Sequence, residues 1–316
     1  MNPPENSNIS EAVPIHLRQR VLETAEAFAA EQVTSEKARQ VYLNTLAVGA
    51  VNEYLTLLGI PTNLEQSDAW HREMRAADNM ADLPITETGT IECLPIPPGT
   101  TATSIPLEAR IRRLAYLVVE VATPFKVAHI LGFAKSPVNE QGMLTVGQLH
   151  PLDALPEYLS RFHQSYISQW FQNKFSDVWQ LPDTVLASRQ PAFRFRAQSH
   201  PLLQRARVIE LGKYTDLSLR VGLHLTVRSH NDSYQVLVRL CPAASEKNKN
   251  VDSPTLPSGL VLAKLSDEGD ILEIQTARSM TPDEFIQLNP FEALPNEQYQ
   301  IQVRYGDMEA FEILSL

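Results

Sequence analysis

Glycine and cysteine are scarce in this sequence: 316 residues carry 12 glycines and 2 cysteines, against 22 prolines. Each scarcity excludes a class of protein. The closest glycines are Gly142 and Gly147, so the paired glycines of a dinucleotide-binding turn are missing. That pair has phosphate-loop spacing, but Gln148 stands where a lysine must reach the phosphates. Cys93 and Cys241 are too few for a disulfide scaffold and too far apart for a paired metal or redox motif. Both lie in apolar runs, where cysteine serves as a small hydrophobe, and a reducing cytoplasm is the expected location.

Long uncharged apolar runs are also missing. The longest apolar helical stretch, Val41 to Leu58, contains Asn44, Asn52 and Glu53. These residues are costly in a bilayer, so a buried helix is expected and no membrane span. Met1 to Ser10 is polar and lacks the basic and apolar parts of a secretory leader. There is no nucleophile elbow, zinc-protease helix motif or EF-hand loop. The eight histidines follow no ligand spacing. His71 with Glu73 and Asp78 reads as a solvated loop. Cys93 with His129 or His150 lacks the helix N-terminus that would activate a thiol. Asp267, Glu268 and Asp270 enclose Gly269 and read as a hairpin turn. No catalytic residue, metal or cofactor is expected.

What is present is patterning, and it predicts an α+β fold in three segments. Residues 1–163 read as an α+β domain, with N-terminal helices packed on a small β-sheet. Leu17, Val21, Ala25 and Phe28 predict an amphipathic helix over 11–31. A second helix, apolar nearly all round, runs from about Ser35 to Gly59, where Pro61 prevents resumption. A hairpin at Thr86–Gly89 follows. Next come strands at Ile91–Ile96 and Ile111–Val121, the latter central. A short helix near 125–130, strands at Ile130–Ala134 and Met143–Leu149, and a helix at Leu155–Phe162 complete the segment.

Residues 164–204 read as an aromatic helical connector: Ile167, Trp170, Phe171, Phe175, Val178 and Trp179 recur at helical spacing. Residues 205–316 read as an immunoglobulin-like β-sandwich, with alternation at Val221–Val227, Tyr234–Leu240 and Tyr299–Val303. Ser245 to Ser258 reads as a loop.

Charge follows these segments. The net charge of −10 divides into −7 over 1–163, +2 over 164–204 and −5 over 205–316. Arg189, Arg194 and Arg196, with Phe193 and Phe195 interleaved, then Arg205 and Arg207, lie near the basic boundary. Such interleaving can bind single-stranded nucleic acid, but an acidic chain repels phosphate, so nucleic acid is not the expected partner. The candidate partner-binding residues are Trp170, Phe171, Phe175, Trp179, Arg194 and Arg196.

Several segments resemble, in order, a known family. They are Ala50–Ile60, Ser67–Trp70, Ile91–Gly99, Tyr116–Val121, Leu131–Phe133, Ile167–Phe171 with Trp179 and Gln180, Leu256–Leu260, Asp267–Gly269, Ile286–Leu288 and Glu297. Together they resemble the cyanobacterial family called domain of unknown function 1822, over roughly residues 10–316. One departure is Phe291 to Glu297, where the family tends to place glycines. The resemblance implies a soluble cyanobacterial protein with no assigned activity and no catalytic residues to carry over. Family genes often neighbour those of sigma factors and caspase-like or sensor proteins, which suggests regulation.

The leading expectation is a non-enzymatic regulatory or protein-interaction protein. Its partner would be an unidentified protein, with signalling or transcription regulators as the candidate class. The alternative is an enzyme or small-ligand-binding protein with a site between the two domains, drawing on His150, Asp153, Arg194 or Arg196.

Overall fold

The computed structural model describes residues 12–122, 124, 126–135, 142–187, 202–212, 218–230, 232–244, 254–266 and 269–316. The chain forms two compact units, Met1–Ser160 and Arg161–Leu316.

In the first unit a mixed five-stranded sheet has the order β1-β6-β5-β3-β2. The strands are β1 (Val13–His16), β2 (Asp82–Ile85), β3 (Gly89–Ile96), β5 (Ala115–Val121) and β6 (Val127–Lys135). β3 and β5 run parallel and the other neighbours antiparallel. Helix α1 (Gln19–Ala30) packs on α2 (Ser35–Leu57), which lies against β3, β5 and β6. Thr34 starts α2 by accepting a hydrogen bond from the Lys37 amide at 3.2 Å. Gly59, at φ +73°, ends it. Gly49 lets α1 approach, since a Cβ there would stand 2.4 Å from Val21 Cγ1. Tyr116 and Val118 point to the other face of the sheet. There they join Leu94, Ile96, Ile105, Ala109 and Leu144 in a second buried cluster. A two-stranded sheet of β4 (Ala102–Ser104) and β7 (Met143–Thr145) contributes to that side. Helices α3 (Arg72–Ala77) and α4 (Leu155–Leu159) are short.

Two sequence expectations change here. The helix over 11–31 begins only at Gln19, because Val13–His16 is a strand. Pro14 accounts for this: without an N–H it weakens a helix interior, yet it suits a strand at a sheet's end. The expected short helix near 125–130 is replaced by β6 from Val127 onward, paired to both β1 and β5. β5 is central, as its two apolar faces predict.

The second unit has two five-stranded sheets. One contains β9 (Leu202–Leu211), β10 (Leu219–His230), β11 (Ser233–Pro242), β14 (Ile286–Gln287) and β15 (Phe291–Ala293), the last two both pairing with β11. The other has the order β13-β12-β16-β17-β8. It comprises β8 (Phe162–Tyr166), β12 (Val261–Leu265), β13 (Ile271–Thr276), β16 (Gln298–Tyr305) and β17 (Met308–Ser315). Only β8 and β17 pair in parallel among the described strands of this unit. Both sheets send alternate residues into one buried cluster. Val221, Leu223, Leu225 and Val236 come from one, Leu262, Ile301, Val303 and Leu314 from the other. The segment 164–204 is not a long helix where described. Helix α5 (Ile167–Trp170) is one turn, and α6 (Pro182–Val185) another.

Candidate functional site

The aromatic residues singled out by spacing are placed first by what buries them. Trp170 is 2% exposed and Trp179 is 4% exposed, both inside the core of the second unit. Their rings meet edge-on at 4.9 Å, and Trp179 Nε1 donates to Ser165 Oγ at 2.7 Å. Phe171 and Phe175 pack against the same core while half-buried. Trp170 and Trp179 therefore work as core side chains, with their faces turned away from solvent. Arg194 and Arg196 lie outside the described residues. The neighbouring cations are engaged within the unit. The Arg205 guanidinium sits 4.0 Å from the Phe175 ring centroid, and Arg207 Nη1 donates to Glu312 Oε2 at 2.7 Å. His163 Nδ1 reaches the same carboxylate at 3.0 Å. That trio, with Glu312 buried and His163 and Arg207 half-buried, ties β8 and β17 to β9, across the two sheets.

The two thiols are poor nucleophiles. Burial pushes Cys93 well above the ordinary thiol range and Cys241 up to about 12. Among the described residues no group of three His, Cys, Asp or Glu side chains could hold a metal ion. No helix among them is long and apolar enough to cross a membrane.

Among the described residues, an exposed strand and a polar cavity can offer contacts to a partner or ligand. One is β13, the end strand of its sheet, which pairs with β12 alone among the described strands. Ile271, Leu272 and Ile274 are 62%, 51% and 48% exposed. Proteins usually guard such an edge with lysine or proline, and β13 has neither. Glu273 is held, accepting from Asn289 N at 2.9 Å and from its Nδ2 at 3.0 Å.

The other is a cavity of about 220 Å³ in the first unit. It opens beside the second half of β3, past the start of β2. Its lining combines Gln40 and Asn44 of α2, Asn79 before β2, Glu92 to Pro95 of β3, and Thr103 and Ser104 of β4. Gln40 Nε2 donates to Asn44 Oδ1 at 2.8 Å. Asn44 Nδ2 donates to Asn79 Oδ1 at 3.0 Å and to the Met80 carbonyl at 3.1 Å. Glu92, buried at the floor, accepts from Ala81 N at 2.5 Å and Arg113 Nε at 2.8 Å. Burial pushes its pKa up to about 7, against the opposing pull of Arg113 and the amide.

With that geometry established, comparison with known proteins adds the lineage. The family described as Protein of unknown function (DUF1822) matches residues 15–315. The chain belongs to this family. No curated protein and no solved structure matches it. Among the segments that first suggested DUF1822, Ile91–Gly99 supplies β3 and a cavity wall, and Ile286–Leu288 contains β14. Within Phe291 to Glu297, Asn296 adopts φ +71°, and Glu297 accepts from the Leu294 amide at 2.8 Å. Asparagine tolerates that left-handed backbone, so the turn forms without glycine.

Neither the place of the edge strand nor the cavity was read from the sequence. Gln40 and Asn44, four apart on an apolar helix, were a legible signal for the cavity. Its other walls come from distant segments. The apolar run Ile271–Ile274 was legible as a strand but not as the end of a sheet.

Proposed function

We propose that this DUF1822 protein is a non-enzymatic interaction protein that captures an extended segment of a protein partner along β13. The supporting observation is an end strand that pairs with β12 alone among the described strands and has three exposed apolar side chains. Strand addition uses the free backbone edge for affinity and alternate side chains for specificity. Ile271, Ile274 and Thr276 pair with Leu265, Ala263 and Val261 and share one face, Glu273 and Gln275 take the other, and Leu272 stands opposite no residue at a register shift. The fitting occupant is a strand with apolar residues placed to meet Ile271 and Ile274.

We read the second unit as an immunoglobulin-like sandwich. Three features support this: the shared core, the crossing from β11 in one sheet to β12 in the other, and the parallel first-to-last pairing of β8 with β17. A regulatory role, a signalling or transcription regulator as partner, and a cyanobacterial source belong to the same proposal. Their support is the family resemblance. A cytoplasmic location is supported by two buried free thiols.

The test is affinity capture with wild type and with Ile274→Lys. Wild type should retain a protein that the variant loses at least tenfold, while the variant's stability stays within about 0.5 kcal/mol. Equal recovery by both, or recovery by neither, would overturn the proposal.

A further inference from the structure

The geometry points to a second binding site, in the cavity beside β3, for a small neutral polyhydroxy compound of the sugar or polyol class.

Charge narrows the ligand first. Among the lining residues there is no lysine, arginine or histidine. The one ionisable carboxyl, Glu92, has both oxygens bonded and Arg113 against it. A phosphate or carboxylate would find no cation there, so anionic metabolites are disfavoured. Shape narrows it further. No aromatic side chain lines the cavity, so a nucleobase or aromatic ring has nothing to stack on. At about 220 Å³ it lies below the roughly 300–1,000 Å³ of drug-sized sites, which suits a small metabolite.

The polar groups then specify hydroxyls. The amide relay consumes the Asn44 acceptor and both hydrogens of its Nδ2. It leaves Gln40 Oε1 as an acceptor at one end and Asn79 Nδ2 as a donor at the other. Thr103 and Ser104 of β4 also line it, and because side chains alternate along a strand one of the two hydroxyls faces in, able to donate and accept. Adjacent ligand hydroxyls can use such a mixed row, since each also donates and accepts. Leu94, Pro95 and Pro106 offer apolar walls for the carbon-bound faces of the same ligand. The relay fixes Asn44 and Asn79 before any ligand arrives, which lowers the ordering cost of binding.

The test is saturation-transfer NMR and calorimetry on the full chain. Glucose and myo-inositol are the neutral probes and glucose 6-phosphate the charged one. Polyols raise the stability of any protein by exclusion, so a thermal shift would not discriminate. Saturable binding of at least one neutral probe is expected, with glucose 6-phosphate at least tenfold weaker than glucose. Of Thr103→Val and Ser104→Ala, which replace half-buried and exposed side chains, the one that removes the inward hydroxyl should weaken binding up to about tenfold without loss of fold. The inference is overturned by absence of saturable binding for both neutral probes. Tighter binding of the phosphate ester, or binding that both substitutions leave unchanged, also overturns it. Capture along β13 is unaffected by either result, because Ile274→Lys leaves this cavity intact.

Discussion

His224 carries the clearest pH signature of any single residue. It lies on β10, opposite Ala206 of β9 and Arg239 of β11. It is 4% exposed, and neither ring nitrogen has a hydrogen-bond partner. Burial, reinforced by Arg239, lowers its pKa to about 4 from the usual 6.5. The folded state therefore holds a neutral imidazole at a pH where the unfolded chain already binds a proton. The contribution is zero above pH 6.5, becomes unfavourable as pH falls below it, and levels off below about 4. Between those limits wild type should lose up to about 3 kcal/mol through this group. His224→Leu should flatten that part of the curve, as measured by urea unfolding at a series of pH values. Parallel curves for the two proteins would show that His224 is protonated in place. Alternation along β10 made the outward direction of His224 legible in the sequence. Its burial was not legible, because neighbouring strands supply it.

At the scale of elements, α2 was the most legible piece. Thr34, Gly59 and Pro61 bracket an apolar run, and the helix ends where those residues require. β1 was hidden because Val13 and Ile15 run into Leu17 and Val21, which imitate one helical face. The aromatic segment misled for a related reason. Spacing shows that Ile167, Trp170, Phe171, Phe175 and Trp179 share a side, but not whether the chain between them is helical. The structure turns after Trp170, with Asn173 at φ +58°, and folds the aromatics back into the core. Trp170→Ala should then cost about 3–5 kcal/mol of second-unit stability, the usual range for a buried aromatic. Chemical denaturation would measure it. A loss under 1 kcal/mol would mean that Trp170 does not carry the core.

For the whole molecule, acidity and the β13 edge act together. The chain has a net charge of −10 and a pI of about 5.3. Self-repulsion at neutral pH would oppose the association proposed along β13, and that repulsion vanishes near the pI. Turbidity should rise as pH falls toward 5.3, and Ile274→Lys should reduce it. An unchanged turbidity curve would place the association elsewhere. Composition made this charge plain, but sheet order was not readable from it. Hairpin neighbours such as β10 and β11 announce themselves through Ser229 to Asp232. The partnership of β17 with β8 joins residues about 150 positions apart and leaves no local mark.

That last pairing sets a schedule for assembly during synthesis. β8 is made as the second unit begins, yet its partner is the strand Met308–Ser315. Until those residues leave the ribosome, Phe162–Tyr166 waits with an open edge, and His163 and Arg207 wait without Glu312. Of the strands in this sheet β17 is thus the last to be made, and it enters between β16 and β8. A stalled or shortened chain would present two unsatisfied strands to the cell's quality control, with most of its core residues already made.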